Sequence, residues 1–187
     1  DYRIDFYFGV YTIRDRSLSV TTMLDRAAMG LSKAAHNGLI VCGEYDDDMR
    51  DTIVTEQVIV NNMQGSLRRG EFIVYLQPKY ELMSEKMVGA EALVRWRHPQ
   101  LGFISPARFI PIFEQNGFIY QLDKYVWEKT CQILRTDMDK GRPVLPISVN
   151  VSRIDLYSPN IVKVFEDLIE KYKLPPHLLE LELTESA

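Results

Sequence analysis

From residue 70 onward, short apolar runs alternate with longer segments whose apolar residues recur at helical spacing. No other feature constrains the fold as much. It calls for strand–helix–strand units and a parallel sheet with both faces covered. "EFIVYLQPKYEL" (71–82) reads as a strand, and Pro78 inside it marks a bulge or a sheet edge. "MVGAEALVRWRHP" (87–99) is a candidate for the next strand. Ser105-Pro106 opens a helix that ends near Gly117. Residues 119–139 form a longer helix with Ile119, Leu122, Val126, Ile133 and Leu134 inward. "LPISVNVSRIDL" (145–156) is a strand, and Ser158-Pro159 opens a further helix with Ile161, Phe165, Leu168, Ile169 and Tyr172 on its apolar side. "LPPH" closes that helix, and "LLELELTE" (178–185) is again a strand.

The first 69 residues follow a different pattern. Tyr2, Ile4, Phe6, Phe8 and Val10 alternate on one face of a strand that runs to about Ile13, and "RDRS" turns the chain. Val20, Leu24, Ala27, Ala28, Leu31 and Ala35 then lie at helical spacing, with Ser19 as N-cap and Asn37-Gly38 as the stop. A short strand, "GLIVCGEY", follows. Residues 1–46 are thus a strand–helix–strand piece too small to bury a core alone. Residues 47–69 read as a connecting helix with Met49, Ile53, Val60, Met63 and Leu67 near one stripe and acidic residues at its N-terminus. That acidic run lacks the ligand pattern of a calcium loop.

Composition excludes several classes. An apolar share of 46% with 26% charged residues is that of a globular protein, and a net charge of −4 argues against a chain that coats a nucleic acid polymer. No apolar run approaches the roughly 20 residues of a membrane helix, and "DYRIDFYFGV" is no signal peptide, so no membrane contact is expected from this segment. Cys42 and Cys131 have no metal-site spacing. They read as free thiols of a reducing, cytoplasmic compartment, with a single disulfide left open. The chain starts within one alternation and stops within another, which reads as a piece of something longer.

The 87–99 strand holds a carboxylate, Glu91, and a guanidinium, Arg95, in an otherwise apolar run. As a helix this spacing is an ordinary surface salt bridge. As a strand it puts both on one face, about 13 Å apart, too far for direct neutralisation. Asn150 and Glu182 stand among aliphatic residues in two later strands. An unpartnered buried carboxylate costs several kcal/mol, so two glutamates and an asparagine on neighbouring strands are expected to share a cation. Hard oxygen donors suit magnesium, manganese or calcium rather than zinc. Solvated rim positions and a loop cap account for the same residues taken singly, and periodicity does not decide between the two.

"YLQPKY", "GAEALVRWRHPQLGFISPARFIPIFEQNGFI", "SVNVS" and "LELTES" occur in this order and closely resemble the EAL domain, a family of phosphodiesterases that hydrolyse cyclic di-GMP. The resemblance covers residues 70–187 and implies the first half of a TIM-like α/β barrel, in which 87–99 is a strand. It implies Glu91, Asn150 and Glu182 as ligands of Mg2+ or Mn2+, Arg95 as the grip on a substrate phosphate, and Gln77 as a contact to guanine. Glu91 and Glu185 carry over as catalytic, Glu185 by steadying a loop over the metals. His98 takes a structural place in the strand-to-loop framework. The implied partner is cyclic di-GMP and the implied product linear pGpG, and there is room for a homodimer through the EAL part. The family pattern continues past Ala187 with an aspartate pair that completes a two-metal site. The expectation is therefore that residues 1–187 alone bind metal poorly and do not turn over substrate. A catalytically silent sensor or scaffold is the alternative.

"DFYFGVYTI", "MLDRAAMGLSKAAHNG" and "YDDDMRD" resemble the closing third of a GGDEF domain, the diguanylate cyclase fold. That resemblance implies an α+β fragment in residues 1–46, joined by the 47–69 helix to the barrel half.

Overall fold

In the computed structural model the described residues are 6–37 and 40–183, and they fall into two compact units, 1–59 and 60–187. In the first, β1 (Phe8–Val10) and β2 (Cys42–Glu44) pair in parallel and α1 (Val20–Asn37) connects them. The Ser19 hydroxyl accepts from the Thr22 amide at 3.1 Å, which makes Ser19 the N-cap. Glycines let α1 lie directly on the strands: a Cβ on Gly43 would stand 2.0 Å from the Gly30 carbonyl oxygen. The Arg26 guanidinium reaches the Tyr11 hydroxyl at 2.7 Å and stacks over the Tyr11 and Tyr45 rings.

The alternation at the N-terminus reads differently here. Tyr2 and Ile4 lie outside the described residues, while Phe6, Phe8 and Val10 are exposed. Gly9, between them, faces Ala27 and Leu31 of α1, so the helix covers the glycine face and leaves the other open. The strand is also shorter than its pattern, because pairing stops where β2 ends.

Helix α2 (Asp47–Arg69) carries Asp47 and Asp48 in its first turn and Arg68 and Arg69 in its last, complementing the helix dipole at both ends. Its expected stripe is displaced: Ile53 and Val60 are exposed, whereas Ile59 and Ser66 are buried.

The second unit holds β3 (Phe72–Tyr80), β4 (Met87–His98), β5 (Gly102–Ile104), α3 (Pro106–Gln115), α4 (Ile119–Asp139), β6 (Ile147–Val151), α5 (Ile161–Tyr172) and β7 (Leu179–Leu183). The sheet order is β3-β4-β6-β7, with β5 on β4. β4, β6 and β7 run parallel, as the alternation with helices requires. β3 and β5 pair antiparallel to β4, so the sheet is mixed. The connection 81–86 is far too short for a crossover, which leaves a hairpin as the only way to pair β3 with β4. β3 is an edge strand and its register shifts at Lys79/Tyr80, next to Pro78. α5 starts at Ile161 rather than at Pro159, because a 3-10 turn at 155–157 occupies Ser158, whose amide donates to the Asp155 carbonyl at 2.9 Å.

The core lies between the sheet and its helices. Phe72 of β3 and Trp96 of β4 meet at 4.8 Å between centroids, and both pack edge-on or tilted against Phe109 and Phe113 of α3. Five aromatic residues, closed by Phe118 against Phe113 at 4.9 Å, fasten α3 to the first two strands. α4 buries Ile119, Leu122, Val126 and Leu134 as expected, adding Trp127, Thr130 and Cys131. Trp127 stacks on Phe165 of α5 at 4.5 Å. No helix among the described residues is long and apolar enough to cross a membrane.

Trp96 is completely buried and meets aromatic partners on two elements. Trp96→Ala is expected to lower the unfolding free energy of this unit by about 3–5 kcal/mol. Urea denaturation followed by far-UV dichroism checks it, and a loss below about 1 kcal/mol would show that the cluster does not hold the unit together.

Candidate functional site

Strand register gathers the polar residues. Gln77 of β3 lies opposite Glu91 of β4, Glu91 opposite Ser148 of β6, and Asn150 opposite Glu182 of β7. With a side-chain period of two, Gln77, Lys79, Glu91, Ser148, Asn150 and Glu182 share one face. Phe72, Ala92, Trp96, Ile147, Val149 and Val151 occupy the other, which is buried.

The Asn150 side-chain amide donates to Glu91 Oε1 at 3.0 Å. The Asn150 backbone is held from the opposite side, where the Trp127 indole N–H donates to its carbonyl at 2.9 Å. Lys79 reaches over β4 to β6 and β7. Its ammonium donates to Ser148 Oγ at 2.7 Å and forms a short ion pair with Glu182. The hydrogen bond from Lys79 holds the Glu182 carboxyl below the usual carboxylate range. Glu91, Asn150 and Glu182 are each half-buried.

Arg95 lies farther along the Glu91 face. One of its guanidinium nitrogens donates to the Val94 carbonyl at 2.8 Å, and the group sits 6.0 Å from the Tyr75 ring centroid. Gln77 is exposed, and Glu185 lies outside the described residues. His98 is buried, and its Nδ1 accepts from the amides of Gln100 and Leu101 at 3.2 Å each. That is the strand-to-loop role expected of it.

Glu91, Asn150 and Glu182 offer two carboxylates and an amide oxygen from three adjacent strands, a donor set that suits a hard divalent ion. The Lys79 ammonium already places a positive charge against Glu182. The residues therefore fit magnesium or manganese in chemical type. Among the described residues, no three His, Cys, Asp or Glu side chains cluster to hold a metal without help from an amide.

The EAL domain family model matches residues 60–187. The chain belongs to the EAL domain family. An uncharacterized protein of Mycobacterium tuberculosis is 37% identical over 145 residues, covering 77% of this chain and 47% of that protein. The bifunctional diguanylate cyclase/cyclic di-GMP phosphodiesterase MucR of Pseudomonas aeruginosa is 30% identical over 142 residues, covering 76% of this chain and 21% of that protein. A solved structure of the MucR phosphodiesterase in complex with c-di-GMP superimposes with a TM-score of 0.64 at 33% identity, over 68% of this chain and 52% of that one. For the fold alone, the S helix-GGDEF-EAL structure of Vibrio cholerae LapD matches 95% of this chain and 42% of that one, with TM-score 0.60 and 19% identity. The chain spans about half the length of the mycobacterial relative.

Sequence reasoning missed three polar residues of this EAL domain. Lys79 has the same strand parity as Gln77, and Ser148 the same as Asn150, so alternation puts both on that face, but only Ser148 interrupts an aliphatic run. Asp123 sits on α4, where nothing in the helical pattern sets it apart. It lines a cavity of about 380 Å3 together with Arg95, Asn150 and Ser152. Burial, and then the charge of Asp155 beside it, push the Asp123 carboxyl up to about 9. Asp155 is fully buried; its Oδ2 accepts from the Ser152 amide at 2.7 Å.

A carboxyl raised in the folded state binds its proton there when the unfolded chain has lost it. Stability is then greatest below the ordinary value near 4 and falls as pH climbs toward 9. Asp123→Asn keeps a donor and removes the titration. It is expected to flatten the decline between pH 5 and pH 8, by up to about 1.4 kcal/mol per pH unit. Urea midpoints of both proteins at the two pH values test this, and parallel pH dependence would refute it.

Proposed function

We propose that the intact protein hydrolyses cyclic di-GMP to linear pGpG. The observation that carries this reading is the set Glu91, Asn150 and Glu182 on one sheet face of an EAL family member. The MucR relative, a cyclic di-GMP phosphodiesterase by name, supports the substrate class.

In this reading Glu91, Asn150 and Glu182 hold a divalent ion, Mg2+ or Mn2+. When bound, the ion supplies an activated water and offsets charge on the phosphate. Arg95, well along the strand from Glu91, grips a phosphate oxygen through a charge-assisted bond. Gln77 meets a guanine, and Glu185 steadies a loop over the ion site. Trp127 keeps Asn150 in place by holding its carbonyl. Residues 1–46 are read as the closing part of a GGDEF domain. The LapD likeness supports that for the fold, as does the parallel β1–β2 pair crossed by α1.

A second reading, a catalytically silent cyclic di-GMP sensor, is favoured by the Lys79 ammonium, which already neutralises Glu182. Binding without turnover by the intact protein in magnesium would select it.

Glu91→Ala in the intact protein is expected to cut pGpG formation by roughly 100-fold or more, the scale of losing one charge-stabilising group. Its far-UV dichroism should not change. Chromatographic assay of pGpG measures the effect, and wild-type turnover in the variant would remove Glu91 from the mechanism.

A further inference from the structure

Lys79 brings a cation onto the polar face and has no part in the hydrolytic reading above. Its position is built. Lys79 lies in register with Gly89, so β4 presents no side chain where the lysine crosses it. The ammonium then meets two strands at once, Ser148 on β6 and Glu182 on β7. Ser148 is fully buried, and its hydroxyl also contacts the Ala90 carbonyl at 3.4 Å. Held this way, the lysine ties β3 to strands with which it has no backbone pairing.

We propose that Lys79 is the built-in counter-cation of Glu182, and that a divalent ion binds this carboxylate only by displacing the lysine ammonium. The proposal rests on the reading of Glu182 as a metal ligand and adds a competitor to it. A carboxylate cannot keep a close ammonium contact and accept a metal on the same oxygens at full strength. The nearby charges also count. Glu91 and Glu182 contribute two negative charges, and Lys79 reduces the attraction they exert on an incoming dication. Lys79 is thus a positioning residue: its ion pair holds the Glu182 carboxylate in place while no metal is bound, and it sets a threshold that the ion must exceed. The exchange trades one cation for another and breaks no covalent bond.

The probe is Mn2+ alone, without nucleotide, titrated into the intact protein and read from the free-ion signal in electron paramagnetic resonance. Lys79→Met removes the competing charge and keeps the length. It is expected to bind Mn2+ roughly tenfold more tightly than the wild type. Lys79→Gln, which keeps a donor for Glu182 without charge, covers the case in which the methionine variant does not fold, and should shift the same way. Equal or weaker affinity in the folded variants would overturn the proposal, since a lysine that merely pins the strands would lower stability without raising affinity. Glu182→Gln, placed in the Lys79→Met background, separates the two ideas. Loss of the tightened binding supports Glu182 as the ligand and Lys79 as its competitor. Retention of tight binding removes Glu182 from the ion site and ends the proposal with it. Absence of Mn2+ binding in every form would end both.

Discussion

The parallel register of β4, β6 and β7 is the constraint on which the polar face depends. Side chains alternate strictly along a strand, so a slip of one residue in β6 would turn Asn150 and Ser148 into the helix-packed layer and bring Val149 to the polar side. Both faces oppose such a slip. On the helix side, Trp127 fixes the Asn150 carbonyl, and Val149 and Val151 are fully enclosed. On the polar side, Asn150 meets Glu91, and Ser148 meets Lys79 and the Ala90 carbonyl. A buried hydroxyl without partners would cost roughly 1–3 kcal/mol, so Ser148 in any other register would be a liability.

The aromatic cluster gives that register a rigid support. Phe72 and Trp96 sit on β3 and β4 with opposite parity to Gln77 and Glu91, so the residues packed hardest against α3 alternate with those offered to the site. The Tyr125 hydroxyl adds a bond to the Phe72 carbonyl at 3.0 Å, which ties α4 to the edge strand. Edge strands are the ones most prone to fray or to pair elsewhere. Here the edge is held from one face by Tyr125 and from the other by Lys79.

Legibility from sequence followed the length and strength of each pattern. α4 was readable to its ends, because 21 residues carry the helical period without interruption. β4 was readable as a strand only through family resemblance, since the Glu91–Arg95 spacing fits either period. Direction was not legible in β3: alternation says which residues share a face and nothing about which way a strand runs. The first unit misled more. Its apolar alternation marks Phe6, Phe8 and Val10 as one strand face, yet α1 packs on the glycine side. Contact made through absent side chains leaves no hydrophobic signal. Of the candidate site, the three oxygen donors proposed as ligands were legible as a set because each interrupts an aliphatic run. Lys79 was not, because on an edge strand an alternating lysine looks like ordinary solvation.

Near the strand ends, two sets of carboxylates solve the same electrostatic problem in different ways. Glu182 has an ammonium beside it and stays ionised. Among the described residues no ammonium or guanidinium pairs with Asp123, which is more deeply enclosed and has Asp155 adjacent, so it keeps its proton through neutral pH. A metal needs a deprotonated ligand, and taking Asp123 as one would first require removing a proton held to about pH 9. In the reading proposed above, the hard cation goes instead to the Glu91–Asn150–Glu182 side, where the carboxylate beside Lys79 is already ionised. The cavity beside Asp123 is lined also by Arg95, so a neutral carboxyl and a guanidinium border the same space. Asn150 borders both the cavity and the proposed ion site, so what distinguishes the two is the protonation state of their carboxyl groups.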